Sequence, residues 1–90
     1  MNQEAIGTYI KQKRIEKSLS QEQLAEKLGV SKNTVSRWER GVNIPDLGLL
    51  DSLASALNTG VSEIIKGHDE IGNNPSDSLE LQKKNLLFSY

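Results

Sequence analysis

The stretch QEQLAEKLGVSKNTVSRWER, residues 21–40, predicts two short helices joined by a tight turn. Gly29 lies between the two helical patterns, and Ala25 places a small side chain one helical turn before it. Two helices that cross steeply need a glycine in the turn and a small residue where the backbones approach. They also need apolar residues on both inner faces, and the stretch supplies them at Leu24, Leu28, Val30, Val35 and Trp38. We therefore expect Trp38 to be a core residue and not a platform for stacking bases.

Capping residues define where these two helices begin and end. Ser20 is followed three residues later by Gln23, the pattern of a capping box at the start of a helix. Gly29 can adopt the left-handed conformation that ends this helix, and Ser31 is a good N-cap for the next one. The third helix is therefore predicted to run from Ser31 to Arg40, before Gly41.

Three further helices are predicted around this pair. The first spans about Asn2 to Lys17, and its apolar stripe of Ile6 and Ile10 continues into Arg14. A fourth begins after Asp46, its expected cap, and carries Leu49, Leu50, Leu53, Ala54 and Leu57. The segment VSEIIKG (61–67) forms a short fifth helix. The sequence predicts an all-α fold, a compact five-helix bundle over residues 1–67, with a C-terminal tail or an extra helix.

Composition excludes several classes of protein. The 90 residues contain no cysteine and one histidine, so we expect no disulfide, no metal and no cofactor. A nucleophile–histidine pair and a glycine-rich phosphate loop are both missing, which argues against an enzyme. We expect no membrane span and no signal peptide, and a cytoplasmic location. The net charge is −1, but basic residues outnumber acidic ones between Lys11 and Arg40, a distribution that suits nucleic acid.

The composition changes after Gly67. Residues 68–77 are rich in turn formers and are predicted to be a linker. Residues 78–90, SLELQKKNLLFSY, form a tail that could become a helix or a dimerisation segment. The tail has leucines and aromatics without a core of its own, so it docks on the domain, contacts a partner or stays unfolded.

The third helix has a polar side as well as an apolar one. At about 100° per residue, an arc of about 140° contains Lys32, Asn33, Ser36, Arg37 and Arg40. A major groove admits an α-helix, where lysine or arginine suits guanine and asparagine suits adenine. We predict that Lys32, Asn33 and Arg37 contact bases, with Ser36 next. The simpler alternative is an ordinary solvated surface.

The chain resembles the Cro/C1-type helix-turn-helix family, also called the xenobiotic-response-element type. The resemblance covers about Ile6 to Gly67 and rests on IKQKRIEKSLSQEQLAEKLGVSKNTVSRWERG, IPD and VSEII in this order. It implies a lambda-repressor-like fold and a phosphate contact at Gln21, where backbone N–H groups at a helix start also favour an anion. It also implies a structural salt bridge between Arg14 and Glu39. Weaker candidates for phosphate contacts are Thr34, Arg40, Asn43, Lys11 and Lys13.

The leading hypothesis is a sequence-specific regulator of transcription that binds double-stranded DNA. The resemblance implies a repressor of prokaryotic or phage origin, bound to DNA as a homodimer, because one small domain contacts too few base pairs. The alternative is a protein-interaction module on the same fold, such as an antitoxin or adaptor, whose tail binds a partner protein.

Overall fold

The computed structural model describes residues 2–69, which form five α-helices and contain no strand. The helices are α1 (Gln3–Glu16), α2 (Gln21–Leu28), α3 (Lys32–Glu39), α4 (Leu47–Leu57) and α5 (Val61–Lys66). The predicted all-α five-helix bundle is thereby confirmed for the described residues. The tail at residues 78–90 and most of the linker lie outside them, as does the N-terminal methionine.

Local hydrogen bonds explain why α2 begins and ends where it does. The Ser20 hydroxyl accepts a bond from the Gln23 backbone at 3.0 Å, and the Gln23 side chain accepts one from the Ser20 backbone at 2.8 Å. This is the predicted capping box, which satisfies two backbone donors that a helix start leaves open. Gly29 has φ +70°, a left-handed conformation that glycine adopts without steric cost.

The caps of the other helices agree only in part with the prediction. Ser31 accepts a bond from the Thr34 backbone at 3.2 Å, as expected, and Asn2 does the same for Ala5 at 3.0 Å. Asp46 is the N-cap residue of α4, but its side chain makes no capping hydrogen bond. The expected cap at Asp46 is therefore wrong as a side-chain interaction.

A single core joins the five helices. α3 packs against both α1 and α2, while α4 contacts α2 and α5, and α5 also packs on α1. The buried apolar residues of this core are Ile6, Tyr9, Ile10, Leu24, Ala25, Val35, Trp38, Leu50, Leu53, Ala54, Leu57 and Ile64. Leu28, Val30 and Leu49 pack against it while only partly buried. Trp38 is 3% exposed, which confirms its predicted place in the core.

Gly7 sets how closely α1 approaches the end of α3. A Cβ atom at this position would lie 2.2 Å from the Trp38 carbonyl oxygen and 3.0 Å from that of Glu39. Both atoms belong to backbone, so they cannot move aside as a flexible side chain would. The contact between α1 and α3 therefore requires glycine here, a requirement that the apolar pattern did not predict.

Candidate nucleic-acid interface

The two sides of α3 differ sharply in their exposure. Val35 is fully buried against the core, and Trp38 nearly so. Four of the residues predicted on the other side are exposed, and they are Lys32, Asn33, Arg37 and Arg40. Ser36 is half-buried. The packing of Val35 and Trp38 thus fixes the rotation of α3, and this rotation turns the basic and amide side chains towards solvent.

An ion pair links the last turn of α1 to the end of α3. The Arg14 guanidinium donates to the Glu39 carboxylate through Nε at 2.6 Å and Nη2 at 3.0 Å. The two side chains are 11% and 3% exposed, so solvent screens the pair poorly. Arg14 Nη1 also donates to the Leu19 carbonyl at 2.7 Å. One guanidinium therefore connects α1, the α1–α2 loop and α3.

Gln21 belongs to the same network. Its side-chain amide donates to Glu39 Oε1 at 3.0 Å, which anchors the first residue of α2 to the end of α3. The amide has two N–H donors and a carbonyl oxygen, so this bond uses only one of its donors. Because the side chain is half-buried, the network holds it in one orientation at the start of α2. The predicted phosphate contact at Gln21 remains a prediction.

Two other pairs of predicted contact residues lie together. Arg40 Nε donates to the Ser36 hydroxyl at 3.2 Å, one helical turn back along α3. Thr34 and Asn43 line the same shallow groove between α3, the α3–α4 loop and the start of α4. At about 100° per residue, Thr34 and Ser36 lie on different sides of α3. The two pairs therefore flank the helix and do not form one edge.

The two lysines predicted to contact phosphate have different surroundings. Lys11 is exposed on α1. The Lys13 ammonium lies 2.9 Å from Asp69 and 3.4 Å from Glu16, and stands 5.5 Å from the centre of the Tyr9 ring. The hydrogen bond to Asp69 raises the pKa of Lys13, and the same bond lowers the pKa of Asp69. Lys13 is therefore occupied within the domain, which makes it the weaker candidate.

The sequence interpretation missed the polar cluster to which Lys13 belongs. The Tyr9 hydroxyl lies 2.6 Å from the Thr59 hydroxyl and donates to Asp69 at 2.8 Å. Burial of Tyr9 raises the pKa of its phenol. Thr59 in turn donates to Glu63 at 3.1 Å. The one available signal was the spacing of Tyr9 from Ile6, which places both on the buried side of α1.

Residues 2–69 contain no group of three or more histidine, cysteine, aspartate or glutamate side chains arranged to hold a metal ion. None of the helices in this range is long and apolar enough to cross a membrane.

Two capped helices joined at a left-handed glycine, with a polar outer face on the second, define a helix-turn-helix domain. The helix-turn-helix family model matches residues 10–69. The chain belongs to the Cro/C1-type helix-turn-helix family.

Three known proteins illustrate the similarity. The transcriptional activator BcrR of Enterococcus faecalis is 36% identical over 62 residues, covering 69% of this chain and 30% of that protein. The cryptic phage CTXphi repressor RstR of Vibrio cholerae is 34% identical over 60 residues, covering 67% of this chain and 54% of the relative. The P22 c2 repressor, solved with a synthetic operator, superposes with a TM-score of 0.67 at 31% identity, over 69% and 94% of the two chains.

These relatives regulate transcription and are not enzymes. One is an activator and two are repressors, so similarity alone does not select the direction of regulation. The chain covers less than two thirds of either curated relative.

Proposed function

We propose that this chain binds double-stranded DNA in a sequence-specific manner and represses transcription. The observation that carries the proposal is the exposed side of α3, where Lys32, Asn33 and Arg37 stand opposite the buried Val35 and Trp38. An α-helix fits the major groove of B-DNA, which displays a different pattern of donors and acceptors for each base pair. α3 is the helix proposed to enter it.

The proposed base contacts follow from the chemistry of the three side chains. Arg37 offers two parallel N–H donors to the O6 and N7 acceptors of guanine, and Lys32 offers a single ammonium to the same atoms. Asn33 can both donate to adenine N7 and accept from its N6 amino group. Lys32 and Asn33 lie in the first turn of α3, where side chains reach the bases first. Ser36 is the fourth proposed contact.

The proposed phosphate contacts come from other residues than the base contacts. Gln21 at the start of α2 would donate its remaining amide hydrogen to a phosphate oxygen, beside the open backbone N–H groups of that helix. Thr34 and Asn43 supply further neutral donors, and Arg40, Lys11 and Lys13 supply charge. Charged contacts of this kind release counterions from DNA, so affinity should fall steeply as salt rises.

The protein is proposed to act as a homodimer on a two-fold operator. One domain of this size contacts too few base pairs to find a unique site in a genome. Two copies would place their α3 helices in successive major grooves, about 34 Å apart. α5 with its flanks and the C-terminal tail are the two candidate dimerisation surfaces. Such a regulator would act in the cytoplasm, on the DNA of a prokaryote or a phage.

The test is selection from a randomised duplex pool at about 150 mM salt, near physiological ionic strength, followed by sequencing of the bound duplexes. A two-fold motif with half-sites near one helical turn apart is the expected result. Binding that enriches no sequence, and that disappears as salt rises, would contradict the proposal. That outcome would favour the alternative, a protein-interaction module whose tail binds a partner protein.

A pair of variants separates base contacts from general charge. Arg37→Ala should lose preference at one base pair of the selected motif. Lys27→Ala removes one exposed positive charge from α2 and should leave the selected motif unchanged. If both variants weaken binding equally on every sequence, Arg37 contacts phosphate and the proposed base contact is wrong.

A further inference from the structure

An apolar groove lies on the side of the domain formed by α4 and α5. Its walls come from Leu47 and Leu50 of α4 and from Ile64 and Ile65 of α5. Ile6 of α1 and two residues of the loop before α4, Ile44 and Pro45, complete the lining, and every residue in it is apolar. The groove lies outside the proposed DNA contacts, none of which contributes to its lining.

Leu47 at the rim of this groove is 82% exposed. Within residues 2–69 this exceeds the exposure of Val42, at 51%, and of Ile15, at 57%. A single exposed leucine is common on protein surfaces. Leu47, however, borders an apolar depression, so an apolar side chain placed there would cover both the groove and the leucine. Burial of such a side chain removes apolar surface from water and is therefore favourable.

The last described residue, Asp69, follows α5 closely and packs against α1. Asp69 is held against α1 by the Tyr9 hydroxyl at 2.8 Å and the Lys13 ammonium at 2.9 Å. Gly67 packs so tightly on α1 that a Cβ atom there would lie 2.8 Å from the Ala5 side chain. Because Asp69 lies four positions after Ile65, their Cα atoms are at most about 15 Å apart. Residues beyond Asp69 therefore start no more than about 15 Å from the groove-lining Ile65.

The groove is a small apolar depression with a cavity volume of about 30 Å³, which favours a small docking segment over a large interface. A stable contact between two protein copies buries about 800 Å² on each partner, far more than a few apolar side chains at one groove provide. A segment of the same chain needs much less surface, because a short connection gives it an effective concentration in the millimolar range. The sequence after Asp69 supplies one run of three large apolar residues, Leu86, Leu87 and Phe88.

We propose that the segment NLLFSY, residues 85–90, docks in this groove of its own domain and covers Leu47. The proposal assigns the tail to an intramolecular contact that covers the groove-lining side of α5. Dimerisation through α5 would then have to use the other side of this helix and its flanks. The proposal does not depend on DNA binding, and its test uses the full chain without DNA.

The absence of cysteine from the sequence allows a site-specific probe. A Ser89→Cys variant of the full chain is labelled with a nitroxide, and methyl NMR signals of the leucines and isoleucines are recorded before and after the nitroxide is reduced. The expected result is strong broadening of Leu47 and Ile65 that disappears on reduction. Ile15 on α1, which does not line the groove, should be broadened much less.

A mixed sample distinguishes docking within one chain from docking between copies. Isotope-labelled protein without the nitroxide is mixed with spin-labelled protein that carries no isotope. Broadening of the groove signals in this mixture would place the tail on a second copy and overturn the proposal. Equal broadening of all methyl groups, or none, would also overturn it.

Two matched variants of the spin-labelled chain test whether the groove itself is the docking site. Leu47→Ser removes the exposed rim residue, so the broadening at Ile65 should be lost. Ile15→Ser removes an apolar side chain that is exposed elsewhere, on α1, and should leave that broadening unchanged. Both sites are exposed, so neither change is expected to unfold the domain. Persistent broadening at Ile65 in Leu47→Ser would contradict docking at the groove.

Discussion

The buried and exposed sides of α3 have different roles although they belong to one helix of eight residues. The buried side is fixed from three directions: Val35 and Trp38 enter the core, Glu39 is paired with Arg14, and Gly7 presses against the backbone at the end of the helix. The exposed side presents Lys32, Asn33 and Arg37 to solvent. Changes on the first side should therefore alter folding, and changes on the second should alter only recognition.

The largest effect should come from Trp38→Ala. The side chain is 3% exposed, so its removal leaves a cavity in the core. Truncation of a large buried aromatic residue costs about 3–5 kcal/mol of unfolding free energy. Chemical denaturation followed by circular dichroism measures this loss. A denaturation curve that coincides with that of the parent protein would show that the buried side of α3 does not hold the fold together.

The Arg14–Glu39 pair should give the next largest effect. Arg14→Met removes the guanidinium and leaves the Glu39 carboxylate buried with the Gln21 amide as its remaining described partner. Stranding one member of a buried pair costs about 3 kcal/mol of unfolding free energy. Adding Glu39→Leu removes the stranded charge, so the double variant should recover most of the loss. A double variant as unstable as Arg14→Met would mean that the stranded charge is not the cause.

Gly7→Ala should destabilise the domain by about 1–3 kcal/mol, the usual cost of overpacking. The new methyl group would meet the Trp38 carbonyl and force α1 away from α3. Gly48→Ala is the matched control, because Gly48 lies in α4 with no atom within 4 Å of an added Cβ. This change should stabilise the domain by up to about 1 kcal/mol through higher helix propensity. Thermal melts of both variants measure the two melting temperatures. If both temperatures shift in the same direction, the proposed difference between Gly7 and Gly48 is wrong.

The smallest effect on stability should come from Arg37→Ala on the exposed side. We expect the unfolding free energy to change by no more than about 0.5 kcal/mol. At the selected operator the same variant should bind about 1–3 kcal/mol more weakly, through loss of a bidentate contact. Titration of the operator by fluorescence anisotropy measures the second effect. A melting temperature far below that of the parent protein would show that Arg37 also supports the fold, and the two sides of α3 would then not have separate roles.

Local sequence patterns predicted the helices because their signals involve neighbouring residues. The capping box at Ser20 and Gln23, the turn at Gly29 and the cap at Ser31 all satisfy backbone groups within one helical turn. The same locality explains the correct placement of Val35 and Trp38. Asp46 was correctly predicted as the N-cap residue of α4, but its residue type did not reveal that its side chain makes no capping hydrogen bond.

The candidate site could be predicted only as a set of residues. Spacing on α3 placed Lys32, Asn33, Ser36 and Arg37 on one side, but it could not determine what each side chain contacts. The structure joins Ser36 to Arg40, anchors Gln21 on Glu39 and occupies Lys13 with Asp69. Such pairings depend on the distance between helices, which a pattern within one helix does not contain.

The sequence by itself determined the helices, the turn and the polar composition of α3, because backbone hydrogen bonds and helical periodicity act over three or four residues. Only the tertiary structure decided that Gly7 must lack a side chain, that Tyr9 reaches Thr59 and Asp69, and that an apolar groove opens beside Leu47. Each of these joins residues far apart in the chain. Their geometry follows from how closely the helices pack, and that packing is a property of the whole core.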